Sequence, residues 1–140
     1  MADRPKPVFS GEWTLNREAS MLSPAIAPTV QSGALRIEHR EPAFASHLTV
    51  VFSDKPVESK FELLTDGREV TTTGGGRQVV SSLRWDGDAL VANFRIQLPG
   101  DELTISFRYE LTDGGRGLRA AEQLRGAGRD QDNLWMFDRS

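Results

Sequence analysis

The chain has 140 residues, with 17 Lys+Arg against 20 Asp+Glu, two His and no Cys. That length suits one domain around one core, so residues 1–140 are expected to form a single domain, with 1–8 flexible. A net charge of −3 with both signs interspersed argues against nucleic acid or an anionic membrane surface as partner, and the missing Cys excludes disulfides, thiolate catalysis and Cys-ligated metals.

The start, Met1 to Pro7, is polar and lacks the apolar stretch of a secretory leader. No window approaches the ~18 apolar residues of a membrane span, so no membrane insertion is expected. The expected compartment is the cytoplasm by default, or the periplasm or exterior if a leader has been removed.

From Gly11 onward the chain is a series of short alternating runs broken by Gly, Asp and Pro. A first run leads up to Leu15. Residues 17–32 follow without alternation; Pro24 and Pro28 block a continuous helix, so a loop with at most one short helix near 17–22 is expected. Leu35, Ile37 and His39 then share one face, as do Leu48, Val50 and Phe52, with His47 facing the other way. Phe61 and Leu63 come next, followed by Val79, Ser81, Leu83 and Trp85. Leu90, Ala92, Phe94 and Ile96 form another such face, and Leu103, Ile105, Phe107, Tyr109 and Leu111 the longest one. Two more strands are expected at 118–125 and 133–139. Period 2 with one apolar face is the pattern of a half-buried antiparallel strand.

Asp66-Gly67, Asp86-Gly87, Pro99-Gly100 and Asp113-Gly114 separate these runs and supply the positive-φ residues of tight hairpins. Gly74-Gly75-Gly76 has no Gly-Lys-Ser/Thr and no helix after it, so it is a hairpin tip rather than a phosphate loop. About ten consecutive strands favour an all-β, single antiparallel up-and-down barrel, because closure removes sheet edges and leaves an internal cavity. A two-sheet sandwich is the alternative.

Phe9-Ser10-Gly11-Glu12-Trp13-Thr14-Leu15 resembles the Phe-x-Gly-x-Trp start of the calycins, the lipocalins and intracellular fatty-acid-binding proteins. The segment from Phe61 to Val70 and Arg84-Trp85-Asp86-Gly87 are similar to hairpins of the fatty-acid-binding group, and Trp135-Met136-Phe137-Asp138-Arg139 occupies the place of its closing strand. The resemblance implies a lipocalin-like barrel that holds a small apolar molecule. That group has a helix-turn-helix lid after the first strand, where this chain has its two prolines. The group's carboxylate-gripping Arg-x-Tyr is matched here by Trp135-x-Phe137, which removes both the charge and the hydroxyl.

With the apolar faces inward, His39, Ser81, Tyr109 and Glu122 enter the barrel among Trp13, Trp85, Phe94, Phe107 and Trp135, and these nine are the candidate ligand-binding residues. A buried polar group needs a partner or water, so this set is either a hydrogen-bonded network or a ligand-reading site. His39 is a paired barrel histidine, a ligand contact or a general base. Glu122 pairs with an arginine such as Arg108 or Arg125, or its carboxyl is raised by burial and acts as an acid. His39, Glu122 and Tyr109 are the candidate catalytic groups, and a His39–Glu122 or His39–Tyr109 contact across the cavity would be their signature. Trp13 is either a barrel plug or a ligand platform.

In the loop 126–133, Arg129 and Asp132 belong to a solvated turn or to the barrel mouth. The acidic residues and histidines have no zinc or calcium spacing, and no nucleophile elbow is present. An inward His39 would suit a haem, but one residue implies no cofactor, and none is expected. The leading expectation is thus binding of a small hydrophobic or aromatic molecule. The alternative is a hydrolase or isomerase using His, Glu and Tyr on the same barrel.

Overall fold

In the computed structural model, which describes residues 6–140, the alternating runs become β1 (Gly11–Leu15), β2 (Val30–Arg40), β3 (Ala43–Phe52), β4 (Lys55–Leu64), β5 (Val70–Gly74), β6 (Arg77–Asp86), β7 (Ala89–Leu98), β8 (Asp101–Thr112), β9 (Gly117–Arg125) and β10 (Gln131–Arg139). The flexibility expected of 1–8 falls, for residues 1–5, outside the described part. All ten strands belong to one antiparallel sheet in the order β4-β3-β2-β1-β10-β9-β8-β7-β6-β5. The first strand pairs with the last, Trp13 opposite Arg139, so the meander rolls into a nearly closed barrel instead of splitting into two sheets. The two free edges, β4 and β5, face each other without pairing, and β4 runs close to β6.

This arrangement overturns one expected hairpin. Asp66-Gly67 carries turn chemistry, but it joins β4 to β5, which are not partners. Asp66 instead bridges to Arg84, and the Gly67 N–H donates to the Leu83 carbonyl at 2.8 Å, so the connection is tied across to β6. The Gly75-Gly76 tip does close a hairpin, between β5 and β6.

Strand direction sorts the turns into two ends. The N-terminal segment, the 40–43, 86–89 and 112–117 turns and the C-terminus gather at one end. Phe9, Trp13, Phe44, Leu83, Leu90 and Leu118 fill that closed end with almost no exposure. Each such side chain stabilises the fold by about 1.5–3 kcal/mol through burial. Gly11 has φ +144°, and an added Cβ there would run into the Arg139 guanidinium, which lies 4.2 Å over the Trp13 ring. The Gly-x-Trp opening therefore has a packing reason: Gly makes room for the Arg139 that covers Trp13.

Residues 16–29 cross the opposite end as a strap. Met21 exchanges backbone hydrogen bonds with Leu134 at 2.8 and 2.9 Å, and Leu22 and Ile26 pack onto the core. No α-helix forms there, or elsewhere among the described residues; one 3-10 turn at Asp113–Gly115 is the sole helical element. β2 begins at Val30, inside the stretch expected to be loop. Among the described residues no helix is long and apolar enough to cross a membrane.

Candidate functional site

The inward faces of β3, β4, β6, β7 and β8 do not meet at the barrel centre, and a cavity of about 470 Å³ lies between them. Leu48, Val50 and Phe52 of β3 form one wall, with Val57 and Phe61 of β4 beside them. Val79, Phe94, Ile96, Ile105 and Phe107 form the opposite wall. Phe61 and Phe94 meet edge to face with centroids 5.3 Å apart, and Phe107 stacks on Tyr109 at 5.7 Å. Val57 and Ser59 are exposed as well as lining, so the cavity opens along the free edge of β4.

The polar part of the lining lies where β8, β9 and β10 run side by side. Phe107, Glu122 and Asn133 stand in one row of the sheet, and Tyr109, Ala120 and Trp135 in the next. Inward residues of adjacent strands are neighbours on one face, so Glu122 reaches both Asn133 and Trp135. The Asn133 Nδ2–H and the Trp135 Nε1–H each donate to Glu122 Oε1 at 3.0 Å. Asn133 Oδ1 in turn accepts from the Ser23 N–H of the strap at 2.8 Å. Glu122 Oε2 has no hydrogen-bond donor among the described residues.

Burial pushes the Glu122 carboxyl above the ordinary carboxylate range, and the two donated hydrogen bonds offset only part of that effect. Burial likewise raises the Tyr109 phenol, with the Glu122 charge adding to it. The Tyr109 side chain is buried, yet its hydroxyl makes no hydrogen bond to a described residue and lies in the cavity lining. Ser46 and Ser59 add two further lining hydroxyls.

His39 stands elsewhere. Its Nδ1 accepts from the Phe9 N–H at 3.2 Å, and its Nε2 lies 2.7 Å from Glu41 Oε1. An acceptor role for Nδ1 puts the proton on Nε2, which donates to Glu41. Glu41 also accepts from the Thr65 hydroxyl at 3.0 Å and from the Trp85 Nε1–H at 3.2 Å. Desolvation is the largest single influence on this carboxyl and raises it, but the hydrogen bonds from His39, Trp85 and Thr65 together outweigh it and leave Glu41 below the usual range. The cluster ties the β2–β3 turn to the end of β4 and to β6, across the gap between the free edges. It acts as a latch at the closed end.

The expected His39–Glu122 and His39–Tyr109 contacts are therefore not formed, because His39 lies beside the 40–43 turn and both of its ring nitrogens are engaged by Phe9 and Glu41. Glu122 pairs with neither arginine expected: Arg108 bonds Asp86 at 2.5 Å, and Arg125 bonds Asp132 at 2.7 Å on the outside of the barrel. Arg129 is exposed in the turn that its N–H closes onto the Gly126 carbonyl. Of the nine candidate ligand-binding residues, Phe94, Phe107, Tyr109, Glu122 and Trp135 line the cavity. Trp13 is sealed at the closed end, its Nε1–H donating to the Phe9 carbonyl at 3.1 Å. Trp85 lies between Phe9 and the latch, and Ser81 is half-buried on β6 outside the lining. His47 faces outward and pairs with Glu58 at 3.3 Å.

Asn133, Ser46 and Glu41 were not singled out by the sequence pattern. The period-2 face that contains Trp135 and Phe137 extends back to Asn133, and that of Leu48 extends back to Ser46, so both were within reach of the pattern. Glu41 sits in a turn, where periodicity carries no information. A wider groove of about 870 Å³ passes over His39, Phe44 and Val70 at the closed end. Exposed Glu38, Arg40, Glu62 and Leu64 border it, which makes it a surface depression. Among the described residues no group of His, Cys, Asp and Glu is arranged to hold a metal ion.

No family model and no curated protein sequence matches the chain. Solved structures do match. A secretory abundant heat soluble protein from Ramazzottius varieornatus superposes with a TM-score of 0.63 at 14% identity, over 94% of this chain and 94% of that one. The zebrafish ileal bile acid-binding protein, complexed with cholic acid, gives 0.58 at 14% identity over 94% and 98% of the two chains. A Schistosoma mansoni fatty acid binding protein with arachidonic acid gives 0.53 at 16% identity over 94% and 96%. The likeness is one of fold, an antiparallel lipocalin-like barrel. In this chain the strap is helix-free, and β9 turns a carboxyl group into the cavity.

Proposed function

We propose that the protein binds a small, largely apolar molecule inside the barrel. The observation that carries this reading is the cavity itself: about 470 Å³, within the usual size of small-molecule sites, walled by Leu, Val, Ile and Phe and provided with one small group of polar atoms. A chain packed only for stability would be expected to fill such a space, since each lining side chain forfeits dispersion contacts against a void. Two of the structural neighbours were solved with cholic acid and arachidonic acid, which supports an apolar occupant here without identifying it.

The test is a calorimetric titration with a neutral apolar probe such as decanol. Saturable binding is expected for the native protein. It should be lost when Phe94→Trp or Leu48→Trp fills the cavity while far-ultraviolet circular dichroism stays unchanged. Binding that persists in both filled variants, or no binding at all to the native protein, overturns the reading.

A further inference from the structure

Glu122 stands on the apolar wall of the cavity, and among the described residues no cation is paired with it. Asn133 and Trp135 satisfy Oε1 but are neutral donors, so they orient the carboxyl group without balancing a negative charge. The surrounding arginines are spent on the outer face, Arg108 on Asp86 and Glu110, Arg119 on Glu110 and Arg125 on Asp132. Lys60 borders the cavity opening, but it alternates with the inward Ser59 and Phe61 and is itself exposed. Glu122 Oε2 and the Tyr109 hydroxyl are thus left without described protein partners, both belonging to residues that line the same cavity. Tyr109, nearly fully buried, is a second and independent sign that a polar group is meant to be met here.

The geometry points to a cationic head group as the specificity element of this site: an apolar amine whose ammonium seats against Glu122 Oε2 and the Tyr109 hydroxyl, with its chain along Val50, Phe52 and Ile96. This deepens, and rests on, the ligand-binding reading above. An ammonium carries donors for both free oxygens and supplies the missing positive charge. The carboxyl group is already desolvated in the folded protein, so ligand binding does not have to remove its water again, which is the benefit of a preorganised site. A carboxylate ligand meets the reverse situation at Glu122, like charge with no cation paired to it, and only the Tyr109 O–H is left to donate to it. The site is therefore opposite in sign to one that would hold the head group of cholic or arachidonic acid.

The groups around Glu122 also set the pH behaviour. On β8 it faces Tyr109 and Phe107, on β10 Asn133 and Trp135, and no other titratable side chain of the described residues bears on it. Binding of an ammonium favours the ionised carboxylate, so uptake of the amine releases a proton wherever Glu122 is protonated beforehand, and amine affinity rises with pH until the carboxyl is ionised.

Calorimetric titrations with decylamine, decanol and decanoate at about pH 8, where carboxyl groups ionise and alkylamines remain charged, separate the possibilities. The native protein should bind decylamine about tenfold or more tightly than decanol, with decanoate weakest. In Glu122→Gln, which keeps the size of the side chain and an acceptor for Trp135, the preference for decylamine over decanol should disappear. Tyr109→Phe should lower the preference for decylamine over decanol several-fold. Equal or tighter binding of decanoate overturns the inference, as does an amine preference that survives in Glu122→Gln, since it would then come from the acidic surface. Decanol bound without any preference for the amine overturns the head-group assignment alone. Failure of all three to bind overturns the ligand-binding reading beneath it.

Discussion

Glu41 and Glu122 are both carboxylates that receive an indole N–H, one from Trp85 at the closed end and the other from Trp135 in the cavity wall. Glu41 also receives the His39 N–H and the Thr65 hydroxyl while its side chain stays 44% exposed, and it is held below its ordinary range. Glu122 has one more donor, Asn133, and little solvent, and it is held above. Donor chemistry alone does not decide the charge state. A carboxylate with several donors and access to water stays ionised, whereas similar donors in an apolar wall leave part of the desolvation cost unmet. The first arrangement is a structural latch, and the second leaves a group that a ligand can complete.

The largest effect should come from breaking the latch. Glu41→Ala strands the buried His39 Nε2–H together with two further donors and should cost about 2–3 kcal/mol at neutral pH, measured by urea unfolding. A loss below about 0.5 kcal/mol would mean that the latch holds nothing.

The pH dependence sharpens the contrast. The folded-state pKa of Glu41 is depressed, so its stabilisation is present above the ordinary carboxylate value of 4.5 and fades as pH falls through the lower folded value. The stability gap between native protein and Glu41→Gln should therefore be full near pH ~6 and shrink in strong acid. Glu122 has the opposite sign. Its folded pKa is raised, so its contribution is most favourable below 4.5 and turns into a penalty as pH rises through the folded value. Glu122→Gln should accordingly gain about 1 kcal/mol near pH ~8 and lose that advantage in acid. A destabilised Glu122→Gln at both pH values would make Glu122 a second structural latch. The smallest change is expected for Tyr109→Phe, within about 0.5 kcal/mol of the native protein in thermal unfolding, because the hydroxyl has no partner to lose among the described residues.

Much of the barrel was legible in the sequence because alternation reports which face of a strand a residue occupies. Phe94, Phe107, Tyr109, Glu122 and Trp135 line the cavity for that reason. Alternation does not report height along the barrel. His39 and Glu122 both face inward, but His39 stands one residue from the end of β2, in register with Phe44, whereas Glu122 lies in the middle of β9, opposite Phe107. Their separation depends on how ten strands are staggered, a property of the closed sheet and not of any one run. Asp66-Gly67 shows the same limit for turns: the dipeptide marks a reversal, but only the tertiary pairing shows that β5 returns to β6 and not to β4. The Glu41 latch was hidden because a turn glutamate has no periodic signature.

The three tryptophans report separately on the plug, the latch and the cavity, since their indole N–H groups donate to Phe9, Glu41 and Glu122 respectively. An amide-type NMR correlation spectrum of the indole groups, recorded while an apolar amine is added, therefore tests the account most directly. The Trp135 signal should shift saturably while those of Trp13 and Trp85 stay in place. Movement of Trp85 or Trp13 with Trp135 unchanged would put the ligand in the outer groove and contradict the account.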